Sequence, residues 1–468
     1  MKIENLTPRS LARDAERVGV LAARKARSID RGWDVAKGTP VFTRNGRYTS
    51  QGWTEWTQGF QYGCMILAGD MLDDAKLIDL GRRRTVERML PHVTHTGVHD
   101  HGFNNLSTYG NLLRLLNEKR LPKNDWERTA YENALAVSGA VQAARWSGVP
   151  VAKPNKHSAD SKSLGYIYSF NGPHSLFIDT MRTTRILGVA WQLGHVLMHE
   201  GDRAANLLKR SVLHGLTTSQ YIVFHGDSGH TYDVMGRTAH EGVFNRNNGQ
   251  FRCRATQQGY SPFSTWTRGL AWAMLGYAEE LEFFKTISGK DFQAATGLAK
   301  QEVVRVYERC AKETCEHYIN DVTSIDGITY WDDGAPGMAQ LQGWREKKAD
   351  PYNHHEPVDA SASAIAAQGL IRLGNYLGGS KGKRYLQAGL TVAKSIFEEP
   401  YLSTNNNHQG LLLHSVYHWP NGWDYVPAGS KVPHSESSMW GDYHLLELAA
   451  LISRMAGRSP YLKFFLDR

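Results

Sequence analysis

Four histidines, His92, His95, His99 and His101, crowd around one carboxylate, Asp100, in the stretch PHVTHTGVHDHGFNN. Three chemistries are open to such a cluster. The imidazoles could gather a zinc ion, although the stretch matches neither the HExxH helix nor a Cys/His finger. They could be loop and cap residues with only a structural part. Or Asp100, held by neighbouring imidazoles and a turn at Gly102, projects into a cleft as a working carboxylate, and this third reading is the one preferred here.

Acid–base chemistry on a sugar calls for a second carboxylate facing the same cleft. Asp179 is the candidate, a lone acid within the apolar stretch YSFNGPHSLFIDTMRTTRILGVAW. Its structural alternative is a helix N-cap or a partner for Arg182. Burial would disfavour its charged form and raise its pKa, leaving a proton to donate near neutral pH. A third cluster lies in QQGYSPFSTWTRGLAWAMLGYAEEL, where Gln258 and Tyr260 precede Trp266, Arg268 and Trp272. Arg268 offers a planar fork for a carboxylate and the tryptophans offer faces for a ring. The plainer alternative has Trp272 in the core and Arg268 bridging loops. His240 in GRTAHEGV suits a polar cleft position, though a lone loop histidine is more often structural.

These residues need a scaffold. The chain has 468 residues, 41% hydrophobic and 21% charged, with no run near the roughly 18 apolar residues of a membrane helix. The opening stretch lacks the apolar core of a secretory signal, and Glu4, Asp14 and Glu16 argue against a transit peptide, so an amphipathic helix and a cytoplasmic location are expected. Four cysteines without CxxC spacing fit free, mostly buried thiols in a reducing compartment. The net charge of +8 favours an anionic ligand, yet the basic residues are scattered and no nucleic-acid-binding signature is present. With 13 Trp and 21 Tyr available for stacking, an acidic saccharide satisfies both biases.

Apolar residues recur at helical spacing nearly throughout, and alternating strand-like runs are scarce. The pattern predicts twelve helices, roughly 8–28, 53–70, 73–90, 105–119, 124–146, 174–198, 202–223, 263–286, 295–319, 358–376, 381–398 and 436–456. They fall in pairs joined by short turns and separated by long loops near 147–173, 224–262, 320–357 and 399–435. Asp359 and Asp202 read as N-caps, and Gly374 as a helix end. Loops of that length suggest a rim around a site, and no fixed repeat supports an open solenoid. The expected fold is all-α, an (α/α)6 barrel of six helical hairpins forming one catalytic domain over residues 1–468.

Taken together, WTQGF at 56–60, HDHGF at 99–103, IDTM at 178–181, QGY and WTRGLAW at 258–272, VDASASAIAAQGL at 358–370 and ESSMWGDYHLLELA at 436–449 resemble the unsaturated glucuronyl hydrolases, glycoside hydrolase family 88. The resemblance implies the same (α/α)6 barrel. It also implies Asp179 as general acid/base, Asp100 as a second essential carboxylate, and Trp56, His99, His240, Gln258, Trp266, Arg268 and Trp272 as the wall of the subsite for the terminal uronate. Asp359 begins a helix in the family pattern and has a structural part.

The implied reaction hydrates the C4=C5 enol ether of the 4,5-unsaturated uronic acid that polysaccharide lyases leave at a non-reducing end. Asp179 protonates C4, water adds at C5, and the resulting hemiketal collapses, opening the ring and releasing the remaining saccharide. No metal or cofactor is called for, and the partner is an unsaturated uronyl di- or oligosaccharide acted on by a monomer or homodimer. The chain departs from the family at Gln61, Leu270 and His101, which bears on the sugar beyond the first and on any sulfate it carries. The rival readings are an unsaturated rhamnogalacturonyl hydrolase of family 105, a sugar epimerase using two histidines, and a carbohydrate-binding toroid without catalysis.

Overall fold

Helices that alternate between all-round apolar and one-sided sequences are satisfied by two concentric layers, and the chain is arranged that way. A computed structural model describes residues 1–50, 55–150, 163–457 and 459–466. The beginning of the helix expected at 53 and the middle of the loop expected over 147–173, residues 151–162, lie outside the described residues. Helix Thr267–Lys285 is buried around almost its whole circumference, whereas Ala12–Gly32 buries one face, along which Ala15, Val18, Ala22, Ala26 and Ile29 run, and leaves the other exposed. The first is an inner helix and the second an outer one.

Five hairpins follow the expected order. Gln58–Met71 packs on Ala75–Arg88, and the run His101–Asn105 to Asn111–Asn117, joined by a π turn at Leu106–Gly110, packs on Asp125–Ala144. Thr180–Thr183 and Arg185–Gln192 pair with Leu207–Tyr221, Thr267–Lys285 with Lys300–His317, and Ala360–Leu377 with Gly379–Ile396. The last inner helix, Met439–Ala456, takes the first helix of the chain, Ala12–Gly32, as its outer partner and also touches Gln58–Met71. That contact closes the ring. At its centre Arg182 meets Glu279 at 3.0 Å, Glu447 at 2.7 Å and the His444 imidazole at 2.7 Å, tying three inner helices together through a buried ionic cluster.

Several expectations are corrected. The helix expected over 174–198 is cut down: Ser175–Phe177 is a strand paired with Glu241–Phe244, and Leu197–His199 pairs with Arg203–Ala205. Pro173, two residues before the first of these strands, lacks an N–H for a helical ladder, and the segment finds its hydrogen bonds across strands instead. The loops expected over 147–173 and 224–262 carry further short strands, Trp146–Pro150 with Ser163–Ile167 and Phe251–Ala255. Asp202 is not an N-cap; Asn206 caps the following helix by accepting from the Lys209 N–H. Asp359 does cap its helix, accepting from the N–H groups of Ser361 and Ala362, but that helix runs past Gly374 to Leu377. Gly374 instead lets two helices touch, since a Cβ there would lie 2.6 Å from the Leu386 nitrogen. The four cysteines are free thiols, three of them buried. Among the described residues no helix is long and apolar enough to cross a membrane.

Candidate active site

Four inner helices begin around one cavity of about 520 Å³. Trp56 precedes the first of them, His99 and Asp100 precede the second, Asp179 the third, and Trp266 and Arg268 open the fourth. The two acids stand at N-cap positions, yet neither side chain makes a capping hydrogen bond. Both carboxylates are thereby left to the cavity. Their helices sit backbone to backbone, because a Cβ on Gly102 would fall 2.2 Å from the Thr183 carbonyl oxygen. Gly102 is therefore a helical contact residue rather than the turn expected from sequence.

His99 links the acids. Its Nε2 lies 3.0 Å from Asp179 Oδ1 and 4.0 Å from Asp100 Oδ1. Phe170 stacks on the imidazole and Phe177 meets it edge-on, with centroids at 6.0 and 5.8 Å. Burial works against a charge on His99, but the two carboxylates overcome it and raise the imidazole above its ordinary pKa. Burial pushes Asp179 upward too, yet His99, His240 and Arg268 reverse this and hold it below the usual carboxylate range. Asp100 goes the other way: burial, reinforced by the charge of Asp179, raises it despite His99. The raised Asp179 expected from sequence is thus reversed in the free protein, and Asp100 is the acid whose pKa is raised, because His99 donates to Asp179 and stands farther from Asp100.

The remaining imidazoles of the opening stretch look elsewhere. His101 is buried between the Ser138 hydroxyl at 2.8 Å and the His95 carbonyl at 2.9 Å, and His92 lies against the Asn104 amide. Among the described residues no group of three or more His, Cys, Asp or Glu side chains is placed to hold a metal ion.

Gln258, Trp266, Trp272 and Arg268 all reach the cavity wall, as does Trp56, which stacks on Trp440 with centroids 5.0 Å apart. His240 stands behind that wall, its ring 4.8 Å from Trp266 and 4.3 Å from Phe177. Its Nδ1 accepts the Gln257 N–H at 3.0 Å, which assigns its proton to Nε2, and burial lowers its pKa to about 3. Arg268 does not present the free fork expected of it. One terminal nitrogen donates to Asp359 at 3.1 Å and to the Val416 carbonyl, the other to Gln258 and the Tyr417 carbonyl, both at 2.7 Å. Loop bridging is what this arginine does, with its flat cation held over Trp266 and Trp440.

Sequence reasoning missed the wall opposite. Tyr417, His418, Asn421 and Trp423 line the cavity from one loop, and Phe170 and Asn171 from another. The signal was present in YHWPNGW, aromatic residues flanking a Pro-Asn-Gly turn inside a loop already read as rim. Asp424 shapes that loop by accepting the Tyr417 and His418 N–H groups at 2.5 and 2.8 Å. Asp332, also unmarked in sequence, takes the Tyr260 N–H at 2.8 Å and pairs its backbone with Trp266, so one residue holds two parts of the wall.

No protein-family model matches the chain. In sequence it is similar to the unsaturated glucuronyl hydrolase of Formosa agariphila, 24% identical over 404 residues that cover 84% of this chain and 78% of that protein. It is 24% identical to the unsaturated chondroitin disaccharide hydrolase of Streptococcus agalactiae, over 87% of this chain and 84% of the relative. With the unsaturated glucuronyl hydrolase of Bacillus sp. strain GL1 the matched stretch covers 55% of this chain and 56% of the relative. Among solved structures, the Bacillus sp. GL1 enzyme superposes with a TM-score of 0.66 at 20% identity over 94% of this chain and 97% of its own. The Streptococcus agalactiae enzyme does so with 0.64 at 22% identity, over 97% and 96%. The chain has the α/α-barrel fold of the unsaturated glucuronyl hydrolases, and the resemblance read from its motifs is borne out.

Proposed function

We propose that the protein is a glycoside hydrolase that removes a 4,5-unsaturated glucuronic acid from the non-reducing end of lyase-generated oligosaccharides. The observation that carries this reading is the pair of cavity carboxylates joined through His99. In the free protein His99 is hydrogen-bonded to Asp179, and the pKa values of His99 and Asp100 are both raised. An entering uronate brings a further negative charge and expels water, both of which raise carboxyl pKa values. The proton then moves from His99 Nε2 to Asp179, which delivers it to C4 while water adds at C5. The proton that this water sheds returns to Asp179, so the acid is restored as the hemiketal collapses, the ring opens and the remaining saccharide leaves.

Asp100, whose carboxyl pKa burial raises, orients the sugar by hydrogen bonds to its hydroxyls. A preorganised group of this kind contributes on the order of 10²–10³ in rate. Trp56, Trp266 and Trp272 supply faces for the ring, Gln258 a polar contact, and Arg268 a fixed positive charge behind the wall. His240 backs Trp266. The protein works on imported disaccharides in the cytoplasm, as a monomer or homodimer, which its free thiols suit.

The test follows the ultraviolet absorbance of an unsaturated glucuronyl disaccharide with the protein, beside the saturated disaccharide and with a chelator in parallel. Loss of the enol-ether band, unchanged by chelation and without cleavage of the saturated sugar, is the expected result. A stable band across a panel of unsaturated uronyl linkages overturns the proposal.

A further inference from the structure

The segment from Gln257 to Arg268 enters and leaves the cavity wall: Gln257 and Gln258 line the cavity at one end, Trp266 and Arg268 at the other. Between these two ends the segment is aromatic and open to solvent. Tyr260 is 52% exposed and Phe263 46%. Beside Phe263 lies Tyr232, 37% exposed, with ring centroids 4.8 Å apart, and His230 stacks on Tyr232 at 5.1 Å. Exposed rings gathered in this way are more than the scattered apolar residues a surface normally shows.

The shelf is held rigid from below. Asp332 takes the Tyr260 N–H, the Ser264 hydroxyl takes the Ser261 N–H, and Arg237 donates from one nitrogen to the carbonyls of both Tyr232 and Phe263. A ring whose backbone is fixed loses little freedom on binding, so contact there is retained as affinity. The apolar face of a pyranose is the ligand chemistry such a surface suits.

Resting on the function proposed above, we propose that Tyr260, Phe263 and Tyr232 form an outer saccharide subsite, which stacks a sugar on the reducing side of the cleaved bond in chains longer than a disaccharide. The cavity takes the terminal uronate and the shelf takes the chain that follows it.

Two substrates test this, an unsaturated glucuronyl disaccharide and the tetrasaccharide of the same repeat. The readout is the ratio of their kcat/KM values. Stacking on exposed rings should give the wild type a ratio of up to about tenfold. In the Phe263→Ala, Tyr260→Ala double variant the ratio should fall to one, and Phe263→Trp should retain it. A wild-type ratio of one, or an undiminished ratio in the double variant, overturns the subsite. If the wild type turns over neither sugar, the proposed function fails while the shelf is still read by calorimetry with the saturated tetrasaccharide. Binding weakened in the double variant supports the subsite and equal binding overturns it.

Discussion

His99 Nε2 sits 3.0 Å from Asp179 Oδ1, and against the effect of burial the imidazole's charge and this hydrogen bond help hold Asp179 below the usual carboxylate range while the neighbouring carboxylates raise His99. In the proposed mechanism the imidazole stores the proton until an anionic sugar arrives. Its consequences can be measured.

Asp179→Asn keeps an oxygen that can accept from His99 but removes the carboxyl that carries and delivers the proton. Turnover of the unsaturated disaccharide should fall at least 10³-fold, within the range attributed to positioned acid–base groups, with the far-ultraviolet circular dichroism unchanged. Turnover within tenfold of wild type rules out this role for Asp179.

His99→Ala leaves burial of Asp179 unopposed by its nearest cation, so the Asp179 pKa should rise. In the wild type the proton store is His99, raised above the ordinary imidazole value of 6.5, and activity is lost as pH rises through that raised pKa. In the variant Asp179 is its own store and the alkaline limb of kcat/KM should move to lower pH. A pH–rate profile in which the limb keeps its place contradicts the proton store.

Asp332→Asn keeps the size of the side chain but gives it an amide that cannot accept both the Tyr260 and Gly334 N–H groups. The wall carrying Gln257 and Gln258 should loosen, raising KM by about tenfold, equivalent to about 1.4 kcal/mol of binding, with a smaller change in kcat. Steady-state kinetics separate the two parameters. Burial also pushes the Asp332 carboxyl up to about 7, so the wild-type KM should rise as pH falls through that value, a dependence the variant should lack.

Arg268→Ala strands Asp359 in the core and leaves the carbonyls of Val416 and Tyr417 without their donor. Removing one partner of a buried ion pair destabilises by roughly 3–5 kcal/mol, so a clear drop in the thermal midpoint is expected. Arg268→Lys should recover little of it, since an ammonium cannot reach four acceptors in one plane.

Glu280 is fully buried, and burial together with Glu279 pushes its pKa up to about 8. The native state therefore keeps a proton that the unfolded chain releases from about pH 4.5 upward, and stability falls with rising pH between those values. Glu280→Gln should be close to neutral at pH 4.5 and more stable than wild type at pH 8, by on the order of 3–5 kcal/mol. Denaturant unfolding at the two pH values reads the difference.

Much of the fold is legible in the order of residues because it rests on local rules. A stripe such as Ala15, Val18, Ala22, Ala26 and Ile29 specifies an outer helix, and Asp359 followed by small residues specifies a capped inner one. The two acids are legible too, being isolated carboxylates in otherwise apolar or imidazole-rich stretches. Other features depend on contacts between distant segments. The first helix becomes the partner of the last only when the ring closes. Arg268 reads as a free fork until the carbonyls at 416 and 417 fold onto it, and the Asp179 pKa is lowered rather than raised because His99 lies 1 Å nearer to it than to Asp100. Helix periodicity and capping are set by neighbours along the chain, whereas the charge a buried group carries is set by what surrounds it in space, and only tertiary structure decides that.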